Sequence, residues 1–143
     1  MSIKFSSKEI KIIALFESMT GAMVRDCIID EEHSKITFVV KNGEMGLAIG
    51  KGGSTVTKFK KAVDKDIEIV EHNDDPTVFI KNILAPAELQ SVKVTKNRSG
   101  ETVAFITADN ANKGKVFGKG GSNIKRAKLL AERQHNISNI TLK

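Results

Sequence analysis

The sequence predicts an α+β fold built from two copies of one small unit, and three observations carry that prediction. The tetrad Gly50-Lys51-Gly52-Gly53 returns 68 positions later as Gly118-Lys119-Gly120-Gly121. Its flanks return with it: Gly46-Leu47-Ala48-Ile49 and Ser54-Thr55-Val56 are matched by Gly114-Lys115-Val116-Phe117 and Ser122-Asn123-Ile124. Helical and strand periodicities also follow one another in the same order around both tetrads. Self-similarity at a fixed spacing within 143 residues is an internal duplication. The units are placed at residues 1–73 and 74–143. At about 70 residues each is small, with a core that is marginal alone.

In the first unit, Ser6-Ser7-Lys8-Glu9 reads as a capping box that opens a helix. Ile10, Ile13 and Ala14 supply its apolar face and Gly21 its stop. Met23–Ile29 is rich in β-branched residues and reads as a strand. Lys35–Val40 is a stronger one, with Ile36, Phe38 and Val40 alternating against Lys35, Thr37 and Val39; Asp30–Ser34 joins the two as a hairpin loop. A short helical stretch runs from Asn42 to Ile49. Beyond the tetrad, Val56, Phe59 and Val63 mark one helix face, and Ile67 and Ile69 alternate with Asp66 and Glu68 in a last strand.

The second unit repeats this α-β-β-α-loop-α-β order. Asp75-Pro76 is an N-cap with proline at the first helical position. Phe79, Ile80, Ile83 and Leu84 form an apolar stripe, which Pro86 ends. Ser91–Thr95 and Glu101–Thr107 pair about the turn Asn97–Gly100. A short helix spans 110–117. Ile124, Ala127, Leu130 and Ala131 line one side of a longer helix, and Ile137, Ile140 and Leu142 close the unit as a strand.

Charge is distributed unevenly. The net charge is +6 and the pI about 9.5. Residues 1–73 hold 11 Lys/Arg against 11 Asp/Glu, whereas residues 74–143 hold 12 against 6, so the whole excess lies in the second unit. No acid occurs from Ala111 to Ala131, where Lys113, Lys115, Lys119, Lys125, Arg126 and Lys128 lie, nor from Met45 to Ala62, where Lys51, Lys58, Lys60 and Lys61 lie. Basic charge around both tetrads points to a polyanion, nucleic acid ahead of a membrane surface. The lone Cys27 excludes a disulfide within the chain and reads as a buried strand thiol. With no secretory leader and no apolar run of membrane-spanning length, the expectation is a cytoplasmic chain without a membrane partner, monomeric by default. His33, His72 and His135 are scattered, no Cys/His cluster has ligand spacing, and no Ser or Cys has a recognisable base. Asp30-Glu31-Glu32 reads as a charged hairpin loop. The chain is therefore expected to be no enzyme and to use no metal or cofactor.

The tetrads carry the chemistry. Glycine lets a backbone come against a ligand without collision and accepts positive φ. The amides at the start of a helix lack partners within it and carry partial positive charge, and lysine adds a mobile cation. Such a loop suits phosphate groups. A Walker A loop is excluded, because only three residues separate Gly46 from Gly50 and Gly52 follows Lys51; the second copy fails identically. The dinucleotide fingerprint fails on its spacing, and no βαβ unit is expected around the tetrad. Gly46 and Gly114 lie inside short helices, where glycine costs about 1 kcal/mol against alanine. Close packing, or close approach of the ligand, is expected there.

Ile49-Gly50-Lys51-Gly52-Gly53-Ser54-Thr55-Val56 and its copy Phe117–Ile124 resemble the signature of the KH RNA-binding domain. Two strands before the loop and one after resemble its type II, prokaryotic arrangement. Two such units in tandem, over nearly the whole chain, resemble the NusA-like transcription factors of archaea. The resemblance implies two type II KH domains, each α-β-β-α-α-β with a three-stranded sheet packed by helices. It implies a single-stranded RNA partner, a role in transcription elongation or termination, and an RNA polymerase or elongation complex as a further partner. The polymerase-binding and S1 domains of bacterial NusA find no match here. In the KH family the loop clamps the backbone of about four nucleotides, and bases lie in an apolar groove beside it. Carried over, Gly50, Lys51, Gly52 and Gly53, and Gly118, Lys119, Gly120 and Gly121, are the clamps. Ile49 and Val56 line one groove, Phe117 and Ile124 the other. Phe117 departs from the usual aliphatic residue; it is expected to fill the core, the alternative being a ring offered to a base. Lys58, Lys125 and Arg126 are candidates for phosphate contact.

Two rival readings remain at this point. KH-like folds in ribosome or RNA-processing assemblies can act mainly as protein-interaction modules, although lysine in both tetrads favours RNA. Single-stranded DNA is the other; the absence of Trp and Tyr removes platforms used by many single-strand binders, and RNA is preferred on the resemblance alone.

Overall fold

The computed structural model describes residues 3–143. Two compact units divide the chain, one ending at His72 and the other running Asn73–Lys143.

The first unit contains α1 (Ser7–Thr20), β1 (Val24–Asp30), β2 (Lys35–Val40), α2 (Met45–Ile49), α3 (Ser54–Val63) and β3 (Asp66–Glu71). The Ser6/Glu9 capping box forms, and Gly21 closes α1 at φ 77°, ψ −1°. The buried face of α1 differs from the expected one. Phe16 and Thr20 are buried and Ile12, Ile13 and Met19 pack against the core, while Ile10 and Ala14 face solvent. The stripe turns on Phe16, the bulkiest residue of the helix. Its ring stacks on Phe38 at 4.0 Å between centroids, and Phe59 meets the two edge-on at 5.1 and 5.5 Å. Each such pair adds about 0.5–1.5 kcal/mol beyond area burial. The triad ties α1, β2 and α3 together and so fixes where α3 begins.

Strand order is β1-β2-β3, with β1 and β2 antiparallel and β2 and β3 parallel. In β2, Thr37 and Val39 are buried as well as Ile36, Phe38 and Val40, whereas β5 buries only Ala104 and Ile106. The parallel pairing also corrects the reading of the tetrad's surroundings. The tetrad does lie within a β-to-β crossover, but between two helices rather than at the end of a strand. Helix α2 starts at Met45, not Asn42, because Gly43 turns the chain at φ 89° and its amide donates to Glu71 Oε2 at 3.1 Å. Cys27 is fully buried.

The second unit repeats the plan: α4 (Pro76–Leu84), β4 (Ser91–Lys96), β5 (Thr102–Thr107), α5 (Asn110–Phe117), α6 (Ser122–His135) and β6 (Asn139–Leu142), with sheet order β4-β5-β6. Asp75 caps α4 through the Thr77 amide, with Pro76 at the first helical position. The predicted stripes of α4 and α6 are all buried. Ile137 is buried too, but it precedes β6 rather than belonging to it.

Candidate nucleic-acid interface

Each tetrad forms a single 3₁₀ turn between two helices, and the two turns share one backbone. Gly50 has φ 77°, ψ 169° and Gly118 φ 78°, ψ 173°; Gly52 has φ 62°, ψ 22° and Gly120 φ 63°, ψ 21°. The same hydrogen bonds hold both: Gly50 N–H to Gly46 O and Gly118 N–H to Gly114 O at 2.9 Å, then Gly53 N–H to Gly50 O and Gly121 N–H to Gly118 O at 3.1 Å.

The glycines have two different duties. A Cβ on Gly50 would lie 2.8 Å from the Thr55 amide nitrogen, and one on Gly118 2.8 Å from that of Asn123. These positions exclude a side chain because the next helix begins against them. A Cβ on Gly52 or Gly120 would meet nothing within 4 Å. There the missing side chain leaves an open backbone surface facing outward. Lys51 and Lys119 beside it are exposed.

The helices behind the loops present open N-termini. Glycine is the N-cap of both α3 and α6, and neither has a side-chain cap. By contrast α1, α4 and α5 are capped by Ser6, Asp75 and Asp109. Orphan amides with the positive end of the helix dipole, next to a lysine and a bare backbone, make an anion site. Lys58 and Lys125 lie exposed on the following helices, and the ion pairs found among the described residues involve none of Lys51, Lys58, Lys119 and Lys125. Their charge is not neutralised by the fold.

Three expected roles change. Phe117 does not fill the core: it is 52% exposed, and its ring lies over the tetrad, with Cζ 3.3 Å from where a Cβ on Gly121 would be. The aliphatic partner Ile49 is half-buried instead. Arg126 is half-buried, and its Nη1 donates to Asn123 Oδ1 at 3.1 Å while Asn123 Nδ2 donates to Lys115 O at 2.8 Å. It buttresses the junction of α5 and α6, so it is not a freely extended cation. Gly46 and Gly114 are not close-packed, since a Cβ at either would meet nothing within 4 Å. Val56 is half-buried, and Ile124 is buried.

Three residues near the loops were not singled out from the sequence. Leu47, in the short helix before the first tetrad, is 51% exposed; its signal was an apolar residue where the second copy has Lys115. Thr55 and Asn123, second after each tetrad, abut Gly50 and Gly118. Among the described residues, no group of three His, Cys, Asp or Glu side chains is placed to hold a metal ion, and no helix is long and apolar enough to cross a membrane.

Comparison with known proteins finds the same arrangement. A family model described as "KH domain" matches residues 10–99, and "NusA-like second KH domain" matches residues 76–142. The "probable transcription termination protein NusA" of Halococcus morrhuae is 39% identical over 142 residues, 99% of each chain. That of Methanococcus vannielii is 41% identical over 140 residues, 98% of this chain and 79% of the relative. Among solved structures, the crystal structure of APE1850 matches 97% of this chain and 100% of its own, at 32% identity and a TM-score of 0.80.

Proposed function

The chain belongs to the NusA-like family of tandem KH proteins, and from that premise we propose that it binds single-stranded RNA in transcription elongation or termination, clamping the RNA backbone with both tetrads. The observation that carries this reading is the shared loop geometry: two bare glycine surfaces, each beside an exposed lysine and an uncapped helix N-terminus. The backbone clamp supplies affinity with little sequence preference, and the apolar residues flanking each loop supply base preference. The two sites differ. Ile49 offers an aliphatic wall in the first, whereas the exposed Phe117 ring offers a face on which a base stacks, worth about 1–3 kcal/mol. The relatives' shared name supports placement in termination, with RNA polymerase or its elongation complex as the setting. No catalytic role is assigned, and the protein works as a soluble factor.

Short single-stranded RNAs titrated against the parent and against Lys51→Asp/Gly52→Asp and Lys119→Asp/Gly120→Asp test the clamp. Each pair places acids on the phosphate-facing surface. Both double variants should weaken binding, and the parent's affinity should fall steeply with salt as counterions are released. Parent-like RNA binding by both variants would refute the clamp.

A further inference from the structure

The two units differ at one place well away from the tetrads. Helices α3 and α6 begin at equivalent positions, yet α3 has 10 residues and α6 has 14. Asp64 ends α3 in the left-handed conformation at φ 52°, ψ 47°. The additional turn of α6 covers α4: the His135 ring lies 5.3 Å from that of Phe79, which is fully buried, and His135 Nε2 lies 2.9 Å from Asn73 O. The first unit has no such turn. Where it would lie, an open pocket of about 290 Å³ remains between α1 and the end of α3, floored by Ile12, Leu15, Ile29, Ile36 and Val63. Leu15 is 39% exposed on its wall.

The rim is basic. Lys8, Lys11 and Lys65 surround the apolar floor. One acid, Glu31 of the β1–β2 loop, pairs with Lys8 and lies 4.0 Å from Lys65. A carboxylate therefore already sits well on this rim, and the Lys8 hydrogen bond holds its pKa below the usual range. Three cations against one acid leave room for more negative charge. The aliphatic floor lies away from the first tetrad, and an apolar floor inside a basic rim matches an amphipathic, acidic segment of protein.

We propose that this pocket receives a helical segment of a protein partner, its apolar side chains seated on Ile12, Leu15 and Val63 and its acidic flank meeting Lys8, Lys11 and Lys65. The segment takes the place that the last turn of α6 occupies in the second unit. The pocket lies about 15 Å along α3 from the first tetrad, so occupancy of one leaves the other open.

A fluorescein-labelled, alanine-rich helical peptide of about 18 residues, with Leu at i, i+3 and i+7 and Glu on both flanks, is a suitable probe. Its anisotropy is titrated with the full chain. Saturable binding is expected, weakened about tenfold or more by the surface change Lys11→Glu and likewise by Leu15→Asp. It should persist in the Lys51→Asp/Gly52→Asp variant and in the presence of single-stranded RNA. No binding up to about 1 mM, equal binding of a peptide with Lys in place of Glu, or displacement by RNA would each overturn the proposal. Displacement would assign the lysine rim to the RNA surface instead.

Discussion

Gly50 and Gly118 hold each loop together, while Gly52 and Gly120 leave the open backbone surface proposed to meet RNA, and alanine at the four positions separates these duties. In Gly50→Ala the new Cβ falls 2.2 Å from Thr55 Oγ1, 2.7 Å from Thr55 Cβ and 2.8 Å from its amide nitrogen. In Gly118→Ala it falls 2.7 Å from Asn123 Cγ and 2.8 Å from the Asn123 nitrogen. A side chain can turn aside, but the amide belongs to the first turn of α3 or α6 and cannot move without shifting the helix. The backbone at φ 77°, ψ 169° is also in a region essentially restricted to glycine, a strain of about 1–3 kcal/mol. Overpacking adds about 1–3 kcal/mol, so each variant should lose about 2–6 kcal/mol. A unit of this size holds only about 4–10 kcal/mol, so the upper end unfolds it. Gly52→Ala and Gly120→Ala carry left-handed strain alone, about 1–2 kcal/mol. Urea unfolding of the full chain followed by circular dichroism measures the stability, and RNA titration of the same samples measures the clamp. The expected pattern is crossed: the first pair loses mainly stability, the second pair keeps its fold and loses affinity. Thr55→Ala removes the nearest atom but leaves the amide, so it should restore only part of the Gly50→Ala loss. Equal stabilities for Gly50→Ala and Gly52→Ala, or full rescue by Thr55→Ala, would refute the reasoning.

Three further outcomes are expected. Because residues 74–143 carry the whole +6 excess, Lys119→Asp/Gly120→Asp should cost more RNA affinity than Lys51→Asp/Gly52→Asp; equal losses in the same titration would show that local charge alone sets affinity. Phe117→Leu should weaken RNA binding by about 1–3 kcal/mol, the worth of one stacked base, with an unchanged unfolding midpoint because the ring is exposed; a large drop in that midpoint would return Phe117 to the core. The Asp75 carboxyl is held below its usual pKa chiefly by the Thr77 side-chain hydrogen bond. Its stabilising effect is thus present above about pH 4 and lost as pH falls through the lowered value. Asp75→Ala should lower the thermal midpoint at pH 7, with parent and variant converging as the pH falls through the lowered value.

Local rules made most of the architecture legible. Caps, turns and stripes are set by residues within four of one another, as at Ser6/Glu9, Asp75-Pro76 and Phe79–Leu84, and these formed as read. The failures share a tertiary cause. Periodicity could not choose between Ile10 and Ile12 for the face of α1, because the choice depends on Phe38 and Phe59, distant in sequence. Alternation in β2 suggested one buried face, but Thr37 and Val39 on the other face are buried as well. At the site, the tetrads were visible because glycine at fixed spacing has few other uses. The orientation of Phe117 was not, since an aromatic residue in an apolar frame reads as core until the path of the chain turns it outward. The contact of Arg126 was hidden for a related reason: its partner Asn123 is visible as a helical neighbour, but the carbonyl of Lys115 that orients Asn123 is brought near only by the loop itself.

The sameness of the two loops and the difference of their surroundings bear on how the tandem works. Backbone angles agree within a few degrees at Gly50/Gly118 and Gly52/Gly120, so the two loops present one and the same backbone surface. The side chains around that surface have diverged: Ile49 against Phe117, Leu47 against Lys115, Thr55 against Asn123. An identical tetrad between differing flanks accords with a grip that is kept and a base preference that differs. An RNA bound by both units would then be held by equal clamps but read by unequal grooves, an aliphatic one through Leu47 and Ile49 and a ring-bearing, more cationic one through Phe117 and Lys115. Exchanging Ile49 and Phe117 between the units separates grip from preference. The double exchange should leave overall affinity for a uniform RNA nearly unchanged, and should reverse the preference of an RNA whose two halves differ in sequence. Loss of affinity without reversal would mean that the flanking residues support the loops rather than read the bases.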